Sequence, residues 1–302
     1  MLRVFEAFSG IGAQAKALKN IKIPYTVIGI SEIDQKAINA YTAIHGPVNN
    51  FGDISKIVPT ALPEFDLFTY SFPCQDLSCA GLQKGINQGT RSGLLWECQK
   101  IIDAKRPKYL LLENVPNLVG PKHKKDFDKW VGYLDSIGYN THYKILNSLD
   151  FKVPQSRRRV FAVSILKEFD DGFQFSEGLG TIPFSTVKEH NAPEYLYKIC
   201  RSMWVAHSQG KVKTIDDNGN AFCLTCKQQR WNNGGFVNDV KGLRYLSGLE
   251  QMRLMGFTDD DYNAIKHFKI AQIDHLCGNS IVVNVLESIF KDMFFRKNAW
   301  KL

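Results

Sequence analysis

The segment Ser71-Phe72-Pro73-Cys74-Gln75-Asp76-Leu77-Ser78 sets a thiol directly behind a proline that stiffens the backbone. An isolated cysteine is ordinarily a small buried hydrophobe. A cysteine whose pKa is lowered by a helix N-terminus or a nearby cation is instead a strong nucleophile. Two further clusters carry complementary chemistry. Leu112-Glu113-Asn114-Val115 offers a carboxylate, and Gln155-Ser156-Arg157-Arg158-Arg159 offers guanidinium groups. At strand spacing Arg157 and Arg159 project to one side and Arg158 to the other, so one pair faces a single substrate. Near the start, Phe8-Ser9-Gly10-Ile11-Gly12 is a turn small enough for its backbone amides to approach a ligand. Glu32 follows at about the spacing at which an acid after the second strand accepts hydrogen bonds from ribose hydroxyls. Asp53, in Gly52-Asp53-Ile54, is either a third group at that site or a turn residue.

These residues fall at the ends of short apolar runs, and that is what would bring them together. Val4 to Phe8, Tyr25 to Ile30, Phe65 to Tyr70 and Tyr109 to Leu112 read as strands. Ala13 to Lys19, Gln35 to His45, Gly93 to Ala104 and Lys124 to Ser136 read as helices between or beside them. Strand and helix in alternation predict an α/β fold with a mostly parallel sheet and helices on both faces. In such a sheet Cys74 and Glu113 both follow strands, so both sit at the carboxyl edge, where ligands bind. Tyr139 to Leu146 and Val160 to Ile165 read as further strands. Leu243 to Met255 and Ser280 to Phe290 return to helical spacing. The expected division is a catalytic and cofactor-binding domain over 1–165 and 243–302, with a small irregular module over 166–242. Asp76 to Gly93, polar and glycine-rich, is expected to be a lid.

The bulk composition excludes several classes. With 44% hydrophobic and 23% charged residues over 302 positions, the chain has the make-up of an ordinary globular protein. No apolar run approaches the roughly 18 residues a membrane span requires. Glu6 interrupts the N-terminal apolar stretch too early for a signal peptide, so a cytoplasmic location is expected. Seven scattered cysteines argue against a disulfide framework. Cys223 and Cys226 form a lone CxxC pair without two further ligands at matching spacing, so no metal is expected. The net charge of +8 favours an anionic partner, with basic clusters at Lys122 to Lys125 and at Lys152 and Arg157 to Arg159.

Taken in order, Phe-x-Gly-x-Gly, Pro-Cys-Gln, Glu-Asn-Val, Gln-x-Arg-x-Arg and Gly278-Asn279-Ser280 resemble the DNA (cytosine-5)-methyltransferases of bacterial or phage type. The match covers about residues 1–165 and 243–290. Arg244-Tyr245-Leu246-Ser247 with Glu250, Arg253, Gly256 and Phe257 resembles the family segment that follows the target-recognition domain. The resemblance implies a Rossmann-like fold and S-adenosylmethionine held by Phe8, Gly10, Ile11, Gly12, Glu32, Ile33, Asp53, Ile54, Pro73, Asn279 and Ser280. It implies Cys74 as nucleophile, Glu113 and Arg157 gripping the cytosine, and Arg159 bracing the site.

The activity implied is methyl transfer to carbon 5 of a cytosine flipped out of a specific duplex DNA site. Flipping is needed because the target atom is hidden in the stack. Gln75, Ser78, Arg91, Gln155, Thr225, Lys227, Gln228 and Arg230 are the expected DNA contacts. A transfer-RNA cytosine methyltransferase of the same fold is the alternative, and Cys223-Leu224-Thr225 resembles a Cys-Phe-Thr element of that branch. A monomer is expected, with a restriction endonuclease as possible genetic companion. Two departures bear on the cofactor: Ile33 stands where the family often has Trp, and Leu276 where a Gln commonly precedes the Gly-Asn pair.

Overall fold

The computed structural model describes residues 1–73, 91–228 and 235–295, with the backbone alone for Arg91 and Ser92. Cys74, Gln75, Ser78 and Arg230 therefore lie outside the described residues, as does most of the expected lid; its last residues enter a short 3-10 turn, Arg91–Leu94.

The first half of the chain alternates as its apolar runs predict. β1 (Leu2–Ala7), α1 (Ala13–Asn20), β2 (Tyr25–Ser31), α2 (Gln35–His45), β3 (Leu67–Tyr70), α3 (Leu95–Lys105), β4 (Tyr109–Asn114) and α4 (Lys124–Ser136) lead to the hairpin β5 (Tyr139–Asn147) and β6 (Arg158–Leu166). These strands form one six-stranded sheet in the order β2-β1-β3-β4-β6-β5. β1, β2, β3 and β4 pair in parallel, and β6 runs antiparallel to both its neighbours. The strand order reverses between β1 and β3, which makes the carboxyl ends of these two strands the place where a crevice opens. β6 runs the other way, so its beginning, at Arg158, lies at that same edge.

Alternation along β1 explains why both faces are covered. Leu2 and Val4 enter a core shared with α1 and the C-terminal helices, and Phe5 and Ala7 enter the core beneath α3 and α4. Glu6 is the exception: it is completely buried, and neither carboxylate oxygen has a well-formed hydrogen bond among the described residues. Only looser polar contacts with the Tyr41 hydroxyl and the Ala15 backbone reach it, and burial pushes its carboxyl up to about 8.

The sign of the consequence follows from linkage. Below pH 4.5 the carboxyl is protonated in both states. Between 4.5 and about 8 the unfolded chain releases a proton that the folded chain keeps, so stability falls as pH rises through this window. The slope from this one group approaches about 1.4 kcal/mol per pH unit. Glu6→Gln keeps the shape without the titration, so its denaturant midpoint should depend less on pH between 5 and 8 than that of the wild type. Parallel curves would remove Glu6 as the cause.

After β6 the chain enters the segment expected to be irregular. It carries α5 (Arg201–Ser208) and a small sheet of β7 (Thr214–Ile215), β8 (Phe236–Asp239) and β9 (Gly242–Arg244). Leu196, Met203, Ala206, Val212 and Phe236 build a core of their own with Tyr245. Phe184, Val187, Ile215, Ala221 and Leu224 instead join the main core.

Residues 243 to 255 do not form the single helix their spacing suggests. Arg244 is extended in β9 because its fully buried guanidinium bonds to Asp239 on β8 at 2.6 Å and to both oxygens of Glu250 at 2.8 and 2.7 Å. Helix α6 (Gly248–Leu254) starts only after Ser247, which with Glu250 makes a capping box. α7 (Asp259–Ile265) and α8 (Ile270–Asn279) follow, and α9 (Val283–Phe294) packs against α1, returning the chain to the first sheet. No helix among the described residues is long and apolar enough to cross a membrane.

Candidate active site

A pocket of about 300 Å³ opens at the carboxyl edge of the sheet. Its walls come from the turn after β1, the end of β2, the turn at Gly52 to Ile54, the end of β3 and the end of β4. Arg157 and Arg159 from the start of β6 and the residues after α8 complete it. Elements far apart in sequence thus deliver their reactive ends to one crevice.

The turn after β1 is wound left-handed at three of five positions, with φ of 55° at Phe8, 56° at Gly10 and 74° at Gly12. Phe8 is not a glycine, so its backbone is strained; such strain persists where surrounding structure enforces it. Here the Phe8 amide donates to the Ser31 carbonyl at 2.8 Å. The Gly10 amide donates to Glu32 Oε2 at 3.0 Å, and Glu32 Oε1 accepts from the amides of Ile33 and Asp34, each at 2.9 Å. A carboxylate has about four acceptor positions, so Glu32 is oriented by three amides and keeps one for a ligand hydroxyl.

Asp53 Oδ1 accepts from the Ser55 amide and hydroxyl, which hold its carboxyl below the usual range; Oδ2 has no hydrogen bond among the described residues. Ile33, 75% exposed, lies on the rim of the pocket, and buried Ile54 lies at its inner wall. Two expected cofactor contacts do not face it. Ile11 is buried in the main core, and Gly12 caps α1 where a Cβ would come within 2.5 Å of His45 and 2.6 Å of Tyr41. Ile11 serves the core, and the missing side chain of Gly12 serves the packing of the loop.

Glu113 stands at the end of β4, 8% exposed and lining the pocket. Burial raises its pKa, outweighing the attraction of Arg159, Arg157 and a hydrogen bond from Ser71. Arg159 Nε lies 3.2 Å from Glu113 Oε1. The neighbouring Asn114 donates from Nδ2 to the Phe72 carbonyl at 3.1 Å, which ties the end of β4 to the segment running into Cys74. Pro73 lines the pocket, and Cys74 is the next residue of the chain.

The two arginines reverse the division of labour expected from the sequence. Arg157 is buried, and its Nη1 donates to the Leu224 carbonyl at 2.8 Å and lies 3.5 Å from Cys223 Sγ. Its Nη2 donates to the carbonyls of Gly278 at 3.0 Å and Ser280 at 2.7 Å. Its head therefore clamps residues 223–224 to the turn after α8, and although Arg157 lines the pocket, both of its Nη groups are taken up by these carbonyls. A Cβ on Gly278 would come within 2.3 Å of the Cys226 amide, so nothing bulkier fits beneath this clamp. Arg159, by contrast, reaches the Glu113 carboxylate within the pocket.

Gln155 is likewise corrected. It is completely buried, donating to the Leu254 carbonyl at 2.7 Å and accepting from the Leu224 amide at 2.9 Å, so it joins elements instead of facing DNA. Gln228 is 4% exposed and donates to the Thr225 carbonyl at 2.6 Å, a local contact that turns it inward. Thr225 is half-buried and Lys227 exposed. Asn279 and Ser280 line the pocket as expected. The sequence gives no sign of the contacts made by Ser71, Cys223 and His275, which reach across more than 40 residues that no local pattern joins. Among the described residues no group of three or more His, Cys, Asp or Glu could hold a metal ion.

A mostly parallel sheet with helices on both faces and a ligand pocket at its switch point defines a methyltransferase of the Rossmann-like class. The chain belongs to the C-5 cytosine-specific DNA methylase family, whose sequence model matches residues 2–203 and 177–294. It is 37% identical to the type II methyltransferase M2.ScrFI of Lactococcus lactis subsp. cremoris, over 97% of this chain and 99% of that one. It is 31% identical to the orphan methyltransferase M.SssI of Spiroplasma monobiae, over 95% and 96% of the two chains. Among solved structures, the S. pombe Dnmt2 methyltransferase superposes with a TM-score of 0.79 at 23% identity, over 96% of this chain and 97% of that one.

Proposed function

We propose that the protein transfers a methyl group from S-adenosylmethionine to carbon 5 of a cytosine rotated out of a specific duplex DNA site. The observation that carries this reading is that one pocket joins two kinds of group. The Gly10 and Glu32 end suits a ribose-bearing molecule, and the Glu113 and Arg159 end suits a polar heterocycle, with Pro73 leading into Cys74 between them. The oriented Glu32 carboxylate with an acceptor position to spare, and a volume at the lower end of small-molecule sites, fit S-adenosylmethionine. When bound, that molecule supplies an electrophilic methyl group on a sulfonium.

Carbon 5 of cytosine is a poor nucleophile. Addition of the Cys74 thiolate to carbon 6 forms an S–C bond and pushes electron density to carbon 5, which then takes the methyl group. Loss of the carbon 5 proton and cleavage of the S–C bond restore the ring and the thiolate. Glu113, whose pKa burial raises, is the group we assign to donate to ring nitrogen 3 and accept from the exocyclic amine, which lowers the cost of the addition. Arg159 is the guanidinium we assign to oxygen 2 of the ring, since Arg157 is committed to three backbone carbonyls.

Residues 166–242 are assigned to reading the DNA site. Arg157 and Gln155 fasten this segment to the catalytic sheet, which is where a recognition module must be held rigidly for the flipped base to arrive in register. Bisulfite sequencing of DNA and transfer RNA from cells expressing the protein tests the reading directly. Protected cytosines should fall within one short duplex motif in DNA. Protection confined to transfer RNA would replace the proposed substrate, and none in either would reject the activity.

A further inference from the structure

Two walls of the pocket, 241 residues apart in sequence, are joined at one imidazole. His275 Nε2, on α8, lies 2.8 Å from Asp34 Oδ2 and 3.3 Å from Asn279 Nδ2. On one side, Asp34 caps α2 through the Lys36 amide at 2.9 Å, while its own amide donates to Glu32 Oε1 at 2.9 Å. On the other side, Asn279 Oδ1 accepts from Cys226 Sγ at 2.9 Å. A series of close contacts therefore runs from the Glu32 carboxylate to the segment assigned to recognition.

We propose that His275 is a positioning residue for the methyl-donor site, holding the Asp34 turn, and through it Glu32, at a fixed separation from Asn279 on the opposite wall. The inference rests on the reading of this pocket as the S-adenosylmethionine site. His275 touches neither end of that pocket itself and acts only through Asp34 and Asn279. The chemistry of the contact is specific. A single ring nitrogen cannot donate to the Asp34 carboxylate and also accept from the Asn279 amide, so the shorter contact to the carboxylate is the hydrogen bond, with the proton on Nε2, and Asn279 meets the ring by packing alone. Glutamine, with a donor and an acceptor on one planar end, could satisfy both partners; leucine satisfies neither.

The test measures binding of S-adenosylhomocysteine by titration calorimetry, together with kcat, KM for S-adenosylmethionine and thermal midpoint. For His275→Leu we expect affinity and KM to worsen about 10-fold, the loss of one hydrogen bond to a carboxylate. Its kcat at saturation should stay within about 2-fold, because the loss falls on ground-state binding. His275→Gln should recover most of the affinity. Asp34→Asn, which still caps α2, should weaken binding similarly, and combining it with His275→Leu should add little. Wild-type affinity in His275→Leu, additive losses in the double variant, or a drop in thermal midpoint that Gln does not relieve would each overturn the positioning role. A wild-type protein that binds no S-adenosylhomocysteine would overturn the assignment of the pocket itself, and this inference with it.

Discussion

Duplex DNA carrying 5-fluorocytosine at the target position is expected to become covalently fixed to Cys74 when S-adenosylmethionine is present. The proposed cycle forms a sulfur–carbon bond that only loss of the carbon 5 substituent can release, and fluorine cannot leave as a proton does. After thiolate addition and methyl transfer the elimination is blocked, so a denaturant-resistant adduct should accumulate and peptide mapping should find it on Cys74. Cys74→Ser should abolish both adduct and turnover, a loss of at least about 10³-fold, because a serine hydroxyl is far less ionised and less nucleophilic at neutral pH. The other cysteines provide an internal control. Cys98 and Cys277 are buried, which raises the pKa of both thiols, and Cys223 is occupied beside Arg157. An adduct mapped to any of them, or normal methylation by Cys74→Ser, would overturn the mechanism.

The two arginines show why strand spacing alone could not assign them. Alternation correctly puts Arg157 and Arg159 on the side away from Arg158, and both line the pocket. It is silent on depth. Arg157, just ahead of β6, meets carbonyls delivered from residues 224, 278 and 280, and a guanidinium with several donors satisfies such a cluster better than any other side chain. Two positions further on, Arg159 has moved out of that cluster and meets Glu113.

Much of the fold was legible for the reason that its strands are buried on both faces: apolar runs such as those ending at Tyr70 and at Leu112 have few other readings. Lys124–Ser136, with its amphipathic period, was legible to the residue. The region after residue 166 was not, because its elements are brief and its apolar residues are divided between two cores. Helices α7 and α8 lie outside the segments whose spacing predicts helix, and the helical spacing that starts at Leu243 masks β9. The buried demand of Arg244 for Asp239 and Glu250, which outweighs local spacing, is a tertiary fact. In the site, residues at strand ends were readable from position, whereas Gln155 was misjudged because a polar side chain in a basic motif gives no sign that it will be buried.

Glu113→Gln is expected to cut kcat by about 10²- to 10⁴-fold, the usual range for a positioned proton donor, while duplex binding changes little. Binding to the phosphates draws on surface cations, whereas Glu113 is 8% exposed and in the proposed cycle would meet only the base within the pocket. The pH profile distinguishes this role from a structural one. Burial raises the Glu113 pKa, so its protonated, donating form persists to higher pH than in an ordinary glutamate, and activity should decline as pH rises through that raised value. Ionisation of the Cys74 thiol works in the opposite direction, adding nucleophile as pH rises. The wild-type profile should therefore be bell-shaped, with a falling limb set by Glu113. The glutamine variant cannot supply or lose that proton and should keep only the rising limb at its low rate. Arg159, the guanidinium left facing the amide, is 18% exposed and keeps a share of its hydration, so the fold should survive the change with at most a modest shift in thermal midpoint. A glutamine variant that retains the falling limb, or that turns over at more than about a tenth of the wild-type rate, would remove Glu113 from the proton-donating role.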